Sequence, residues 1–416
     1  MLRIVGAVLT TVSAVLFLVV FLADLFGLHT NPYLGVVFFL ILPAAFVLGL
    51  VLVAIGAWPT EWPRIDLNVP AQRTMLMIVL ALTIANIVIV SMAAYRGVEY
   101  MDSVAFCGQV CHTPMQPEFV AHQTGAHANV KCVDCHVGAG AASFVSAKAA
   151  GTRRVIGMIT HNYSRPIVPE PDQLVKAAET CEQCHSPAQY HGDKTQRIVE
   201  YADNEKNTES VTTVKVHVGG GDERRGLATG IHWHMNVANE IEYIATDKTR
   251  QTIPWVRMKD RNGAVREFVV AGTTPEQLAK GERRRMDCMD CHNRPSHVIA
   301  PTPERAVNDA MVTGSIPLTL PFIHRESVKA LKAGNPAALR DFYRSEPRDQ
   351  VDRAVAAVQD IYQRNVFPAM NVTFGTYPNN IGHIDSPGCF RCHDDDHKAK
   401  DGKKIGQDCE TCHAIE

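Results

Sequence analysis

The sequence has almost no excess charge of either sign. Its 41 Lys and Arg face 43 Asp and Glu, a net charge of −2. A chain so balanced has no electrostatic footprint for nucleic acid, and none is expected as a partner. It also has no spare cysteine: all twelve fall into pairs, each followed directly by a histidine. That leaves no thiol for a disulfide scaffold or a free nucleophile. Long apolar runs are missing from most of the chain as well. The 46% hydrophobic fraction is ordinary for 416 residues, and most of its surplus lies in the first hundred.

The cysteine pairs carry the strongest signal. Five read C-x-x-C-H: Cys132/Cys135/His136, Cys181/Cys184/His185, Cys288/Cys291/His292, Cys389/Cys392/His393 and Cys409/Cys412/His413. The sixth, Cys107/Cys111/His112, reads C-x-x-x-C-H. Two thiols at this spacing add across the two vinyl groups of one porphyrin, and the adjacent imidazole binds the iron. Zinc ribbons also use C-x-x-C, but nothing in a zinc site demands histidine next in every case. A thioredoxin-like redox pair would occur once, in a βαβ setting. Six covalently attached c-type haems are therefore expected.

Three apolar runs open the chain, Ile4–Leu22, Tyr33–Ala57 and Met75–Ala94. Each is near the roughly 20 residues that a helix needs to cross a bilayer. The first is long for a signal-peptide core and no A-x-A site follows it, so an uncleaved helix is expected. Haem attachment takes place outside the cytoplasm, which puts everything after Met101 on the outer side and the N-terminus inside. The basic residues agree: Arg3, Arg64 and Arg73 fall inside, and the outer loop Asp24–Pro32 has no Lys or Arg. The expected location is the inner (cytoplasmic) membrane, with the haem domain on the periplasmic side.

The first cysteines of successive motifs are 25, 49, 107, 101 and 20 residues apart. The short gaps point to close haem pairs at the two ends, and the long gaps to folded inserts. Between His185 and Cys288 the pattern is β-like, at Glu209–Val218, Glu240–Ala245, Thr252–Met258 and Ala264–Ala271, with Asp260–Gly263 as a hairpin turn. Between Cys291 and Cys389 it is helical, at Thr302–Val312, His324–Ala333, Pro336–Ser345 and Gln350–Asn365. The expected fold class is mixed. Three N-terminal transmembrane helices (1–100) precede a trihaem region (101–200), a β-rich insert (201–280) and a C-terminal trihaem region (281–416) with a helical insert (302–365). Little regular structure is expected near the haems.

Several stretches carry a resemblance. A membrane run is followed by CGQVCHTPM (Cys107–Met115), HQTGAHANVKCVDCHVG (His122–Gly138), SAKAAG (Ser146–Gly151), NYSRPI (Asn162–Ile167) and ETCEQCH (Glu179–His185). This resembles the NapC/NirT/NrfH family of membrane-anchored multihaem cytochromes from about Met75 to His191. GIHWH (Gly230–His234), CMDCHNRPSH (Cys288–His297) and PGCFRCHDDDH (Pro387–His397) resemble longer relatives. The resemblance implies oxidation of a membrane quinol, menaquinol among them, near the first haem, with electrons passed along the haems to a soluble or membrane redox partner. It also implies Met115 as a ligand of the first iron and Lys148 in the quinol pocket. The chain departs from its relatives in its longer first motif, in its three membrane runs where one is usual, and at Ala150, where they carry an acidic residue.

Sixth iron ligands must come from other histidines. Of eighteen, six follow the motif cysteines and His29 lies in the membrane loop, which leaves eleven. Six irons can thus all be six-coordinate, which favours electron transfer over substrate chemistry. The favoured candidates are His122 or His127, His191, His232 or His234, His297, His383 and His397. His161, His217 and His324 are weaker, since an exported histidine is ordinarily a solvated or hydrogen-bonded side chain. Two other functions compete with quinol oxidation. One is an electron-relay subunit of a larger membrane complex, with Gly49 and Ala54–Gly56 receiving an integral partner. The other is a terminal reductase with one five-coordinate haem.

Overall fold

The computed structural model describes residues 1–25, 36–57, 66–138, 141–168, 175–186, 192–220, 230–235, 240–260 and 262–415. It divides into two compact units, Met1–Met115 with Lys131–Val133, and Gln116–Val130 with Asp134–Glu416.

Among its described residues the first unit contains three helical spans long and apolar enough to cross a membrane, built on α1 (Leu2–Leu25), α2 (Leu42–Ala57, its span starting at Val37) and α3 (Pro70–Met101). A single π-helical stretch, Val37–Ile41, leads into α2. The three expected runs are present, and the third extends at both ends. Pro70 occupies the first turn of α3, where its missing N–H costs nothing. Outward side chains such as Met77, Ile84 and Ile87 are about 60% exposed, the surface that acyl chains would cover.

Helices α1 and α2 form an antiparallel hairpin that only glycine permits. A Cβ on Gly6 would lie 2.8 Å from the Gly49 carbonyl, and one on Gly49 would lie 2.8 Å from the Thr10 amide nitrogen. At the far end a Cβ on Gly56 would meet the Arg3 amide at 2.9 Å, and Arg3 Nε donates to the Gly56 carbonyl at 2.5 Å. Gly49 and Gly56 are therefore used inside the chain, against α1. That corrects the expectation that Gly49 and Gly56 receive a partner helix, whereas Ala54, named with them, is exposed.

The second unit has three apolar cores. The largest joins α6 (Pro303–Val312), α7 (Ile323–Lys332) and α8 (Arg348–Asn365) through Val307, Met311, Ile323, Leu331, Val355 and Val358. Two longer helices precede it in the chain, α4 (His112–Thr124), which crosses from the first unit, and α5 (Ala141–Ile159). The expected helix at Pro336–Ser345 instead breaks into a 3-10 turn (Pro336–Ala338) and one helical turn (Leu339–Phe342). There Tyr343 leaves helical geometry and its hydroxyl donates to the Pro321 carbonyl at 2.7 Å.

Among the described residues eight strands form two antiparallel sheets. One has the order β1 (Lys194–Tyr201), β2 (Glu209–Val216), β8 (His413–Ile415). The other runs β6 (Glu282–Arg285), β3 (Glu240–Ala245), β4 (Trp255–Lys259), β5 (Val265–Val270), β7 (His397–Lys398). The four expected β runs are strands, although β4 starts only at Trp255, because Pro254 has no N–H to give a ladder. The remaining strands were not anticipated. Strand β1 shows no clear alternation, and β7 and β8 are too short to show any. A third small cluster, with Ala121, Ile299, Phe367, Met370, Val372 and Tyr377, ties α4 to the segment after the fourth motif.

Candidate haem sites

Each regular motif folds as a single tight turn. Cys132–His136 and Cys288–Cys291 are α-helical turns, and Cys181–Gln183, Gly388–Arg391 and Cys409–Thr411 are 3-10 turns. The amide of the histidine donates to the carbonyl of the first cysteine at 2.8, 2.8 and 3.0 Å in the third, fourth and fifth motifs. A turn of this size puts residues i, i+3 and i+4 on one side, so both thiols and the imidazole share a face. The first motif holds one more residue, and the chain takes it up as a π-helical stretch, Phe106–Val110. Just beyond it His112 and Met115 stand three apart in the first turn of α4, on the same face. Their side chains therefore leave the helix on one side.

The attachment cysteines are less enclosed than a binding site usually is. Cys135 and Cys184, the second thiols of the second and third motifs, are exposed, as are Cys291 and Cys409. The other eight are only partly covered. Their role as attachment residues thus rests on the motif and its turn, and not on burial. The physical reason is the size of the turn. Four or five residues are too few to wrap their own side chains, and the thiols stand out on the face they share with the imidazole. Cover for Cys135 and Cys184 would come from a porphyrin lying on that face.

The other motif histidines face imidazoles from elsewhere in the chain. Ring centroids are 6.2 Å apart for His136 and His297, 6.1 Å for His185 and His127, and 6.4 Å for His292 and His232. They are 5.8 Å apart for His393 and His234, and 6.0 Å for His413 and His383. Two metal–imidazole bonds of about 2 Å each, with the ring radii added, give a separation of roughly 6 Å. These residues fit an iron between each pair.

In five of these ten histidines the second ring nitrogen fits as well, whereas His413 Nδ1 is buried without a hydrogen-bond partner. A ligating histidine ordinarily gives its other N–H to a carbonyl or carboxylate, which fixes the tautomer and leaves Nε2 for the metal. His127 Nδ1 donates to the Pro295 carbonyl (3.2 Å), His232 Nδ1 to Val218 (3.1 Å), His234 Nδ1 to Ile231 (2.8 Å) and His393 Nδ1 to Gly406 (2.9 Å). His297 Nδ1 donates to the Glu118 carbonyl at 3.0 Å and lies 3.3 Å from its carboxylate. Burial lowers the pKa values of His232, His234 and His297, which keeps these imidazoles neutral and able to bind a metal. Burial pushes the Cys288 thiol up to about 11. Among the described residues no cluster of three His, Cys, Asp or Glu could hold a bare metal ion.

Other candidates are occupied differently. His397 is almost fully buried, with Nδ1 2.8 Å from the Asp394 carboxylate and Nε2 2.7 Å from the Ile253 carbonyl. Both ring nitrogens are thus already engaged by protein oxygens. His122 gives Nε2–H to the Val130 carbonyl (2.9 Å) and accepts at Nδ1 from Gln123 (3.2 Å). His217 and His324 bond Asp193 and Asp203. His161 is exposed at a positive φ. His191 lies outside the described residues. Lys148 is half-buried on α5, two residues before Ala150.

Sequence reasoning missed the groups that hold the motifs in place. The signal was a charged residue inside a C-x-x-C loop, Asp290 in the fourth and Arg391 in the fifth. Asp290 is 2% exposed and accepts from Tyr243 (2.5 Å) and from Arg284 Nε (3.2 Å), with Arg250 at 3.8 Å. Burial raises the Tyr243 pKa so far that the phenol can only donate. Tyr243→Phe is expected to cost about 1.5–3 kcal/mol, the worth of a hydrogen bond to a charged group. Urea unfolding measures it, and an unchanged midpoint would count against this role.

Residues 69–223 match the NapC/NirT cytochrome c family, N-terminal region. That stretch begins at α3 and takes in the first three motifs. Over 99% of its length the chain is 38% identical to the cytochrome c-type protein ImcH of Geobacter sulfurreducens, covering 87% of that protein. No solved structure matches the chain.

Proposed function

Since the chain belongs to the NapC/NirT cytochrome c family, and is thus a membrane-anchored c-type cytochrome with covalently bound haem, we propose that it carries six haems and passes electrons from membrane quinol to a periplasmic or membrane partner. The observation that carries this reading is the set of five facing histidine pairs. When bound, the haems supply one-electron carriers, which suits taking two electrons in turn from a quinol while two protons leave. His136/His297, His185/His127, His292/His232, His393/His234 and His413/His383 would each close both axial positions of an iron, leaving no place for a substrate. His112 or Met115 would serve the haem nearest the membrane.

Lys148 belongs to this reading as a quinol-site residue, by its resemblance to the family's lysine. The helices of 1–100 anchor the protein, with the haem domain on the periplasmic side of the inner membrane. The domain division at 101–200, 201–280 and 281–416 is part of the same proposal. Facing imidazoles speak against a terminal reductase, whose iron needs an open position. A relay subunit, suggested by the two extra helices, stays the second reading, although Gly49 and Gly56 pack against α1 and so offer no surface to a partner.

Two measurements on the purified full chain test the proposal. Intact mass should exceed the polypeptide by six haems, and fewer would overturn the count. A menaquinol analogue should reduce the haems, and Lys148→Ala should slow this by about tenfold, or ~1.4 kcal/mol of barrier. Haems that dithionite reduces and the quinol does not would overturn the quinol reading.

A further inference from the structure

We propose that one short turn, Ile231–Met235, ligates two irons at once. His232 serves the haem of Cys288/Cys291, and His234 serves that of Cys389/Cys392. These two haems, whose first cysteines lie 101 residues apart in sequence, then form one coupled redox pair. The proposal rests on haem occupancy of both motifs, not on the quinol reading.

The turn is built for two ligands. Gly230 opens it at φ +73°, and a Cβ there would run into the His217 carbonyl and lie 2.8 Å from the Gly219 Cα. That conformation lets the Ile231 amide reach the His217 carbonyl at 2.9 Å, which starts the turn against the end of β2. A 3-10 turn advances each residue by about a third of a revolution, so side chains two apart point to different sides. Trp233, between them, packs against the core of the five-stranded sheet and holds the turn there. The rings then meet different motifs, His232 lying parallel (8°) to His292 and His234 crossing His393 at 85°. Each ring gives its Nδ1–H to a main-chain carbonyl, the contact that a metal-bound imidazole ordinarily makes with its second nitrogen.

The two motifs are also joined directly. The side chain of Arg391, within the fifth motif, is buried and donates to the Asp290 carbonyl within the fourth at 2.7 Å. It donates as well to the carbonyls of Gly388 (2.8 Å) and Arg250 (3.0 Å). Asn380 adds a second donor to the Asp290 carbonyl at 3.1 Å. A buried guanidinium satisfied by three carbonyls is a rigid fastening, because releasing it would strand a charge.

The test uses His232→Ala and His234→Ala in the full chain, with haem content read by intact mass. Electron paramagnetic resonance of each single variant should show one haem turned high-spin, and the double variant two, with haem content unchanged. Added imidazole should return each single variant to low spin, which a merely structural histidine would not do. In the wild type the two haems should give a spin-coupled signal that either substitution alters. If a variant is not recovered, His232→Met or His234→Met keeps a ligand, and one haem should take up a methionine-ligated spectrum. A single variant that keeps every iron low-spin without added ligand, or a wild type with no coupled signal, overturns the proposal. A haem count other than six, with this pattern intact, would refute the count above and leave the pair standing.

Discussion

Arg294→Ala is expected to destabilise the second unit by roughly 3–5 kcal/mol, the cost of stranding one partner of a buried ion pair. Arg294 and Glu118 are 10% and 14% exposed at their side chains, and the guanidinium donates to both carboxylate oxygens at 2.9 and 3.2 Å. Its Nε donates to the His297 carbonyl at 2.6 Å, and its plane lies 3.9 Å from the centre of the Tyr377 ring. Deleting it leaves the carboxylate without its counter-ion and one carbonyl without its donor. Unfolding by urea should show the loss. A double variant, Glu118→Leu with Arg294→Met, should recover most of it, because no charge is then left unpaired. If Arg294→Ala falls within about 0.5 kcal/mol of wild type, like an ordinary surface change, the pair does not hold the fold. A second consequence is local. Glu118 positions His297, so the haem of Cys132/Cys135 should turn partly high-spin in Arg294→Ala.

Gly49→Leu is expected to break the α1–α2 hairpin. A side chain there meets the Thr10 hydroxyl and, at 2.8 Å, the Thr10 amide nitrogen. The hydroxyl can rotate away but the amide cannot, since it belongs to the α1 backbone. The helices must separate, and Arg3 then loses the Gly56 carbonyl. Overpacking alone costs about 1–3 kcal/mol, and the lost close contacts add to it, since packing rather than hydrophobicity holds helices together in a bilayer. Unfolding of the detergent-solubilised protein in sodium dodecyl sulfate measures this. Val51→Leu, on the lipid-facing side of α2 and 46% exposed, is the control and should be neutral. Equal behaviour of the two variants would mean that the hairpin contributes nothing.

The sequence by itself determined what depends on neighbours along the chain. C-x-x-C-H is local chemistry: the turn that seats two thiols and an imidazole on one face spans five residues, so it is legible wherever it occurs. Membrane helices are equally legible, because their condition is length and polarity alone. The strands Glu240–Ala245 and Val265–Val270 and the helix Arg348–Asn365 were readable for a similar reason, as each buries one face and shows its period.

Only the tertiary structure decided which imidazole faces which motif. His297 follows the fourth motif and faces the second, while His127 precedes the second and faces the third. His383 precedes the fifth and faces the sixth. No period or spacing encodes such crossings, because they are set by how separate turns stack around the haem positions. Burial decided the rest. Cys135 and Cys184 lie open on their turns, although a site residue is ordinarily enclosed. His397 looked like a ligand by its place in PGCFRCHDDDH, yet it is enclosed between Asp394 and the Ile253 carbonyl. GIHWH looked like one ligand with two candidates, whereas its turn aims residues two apart at different motifs.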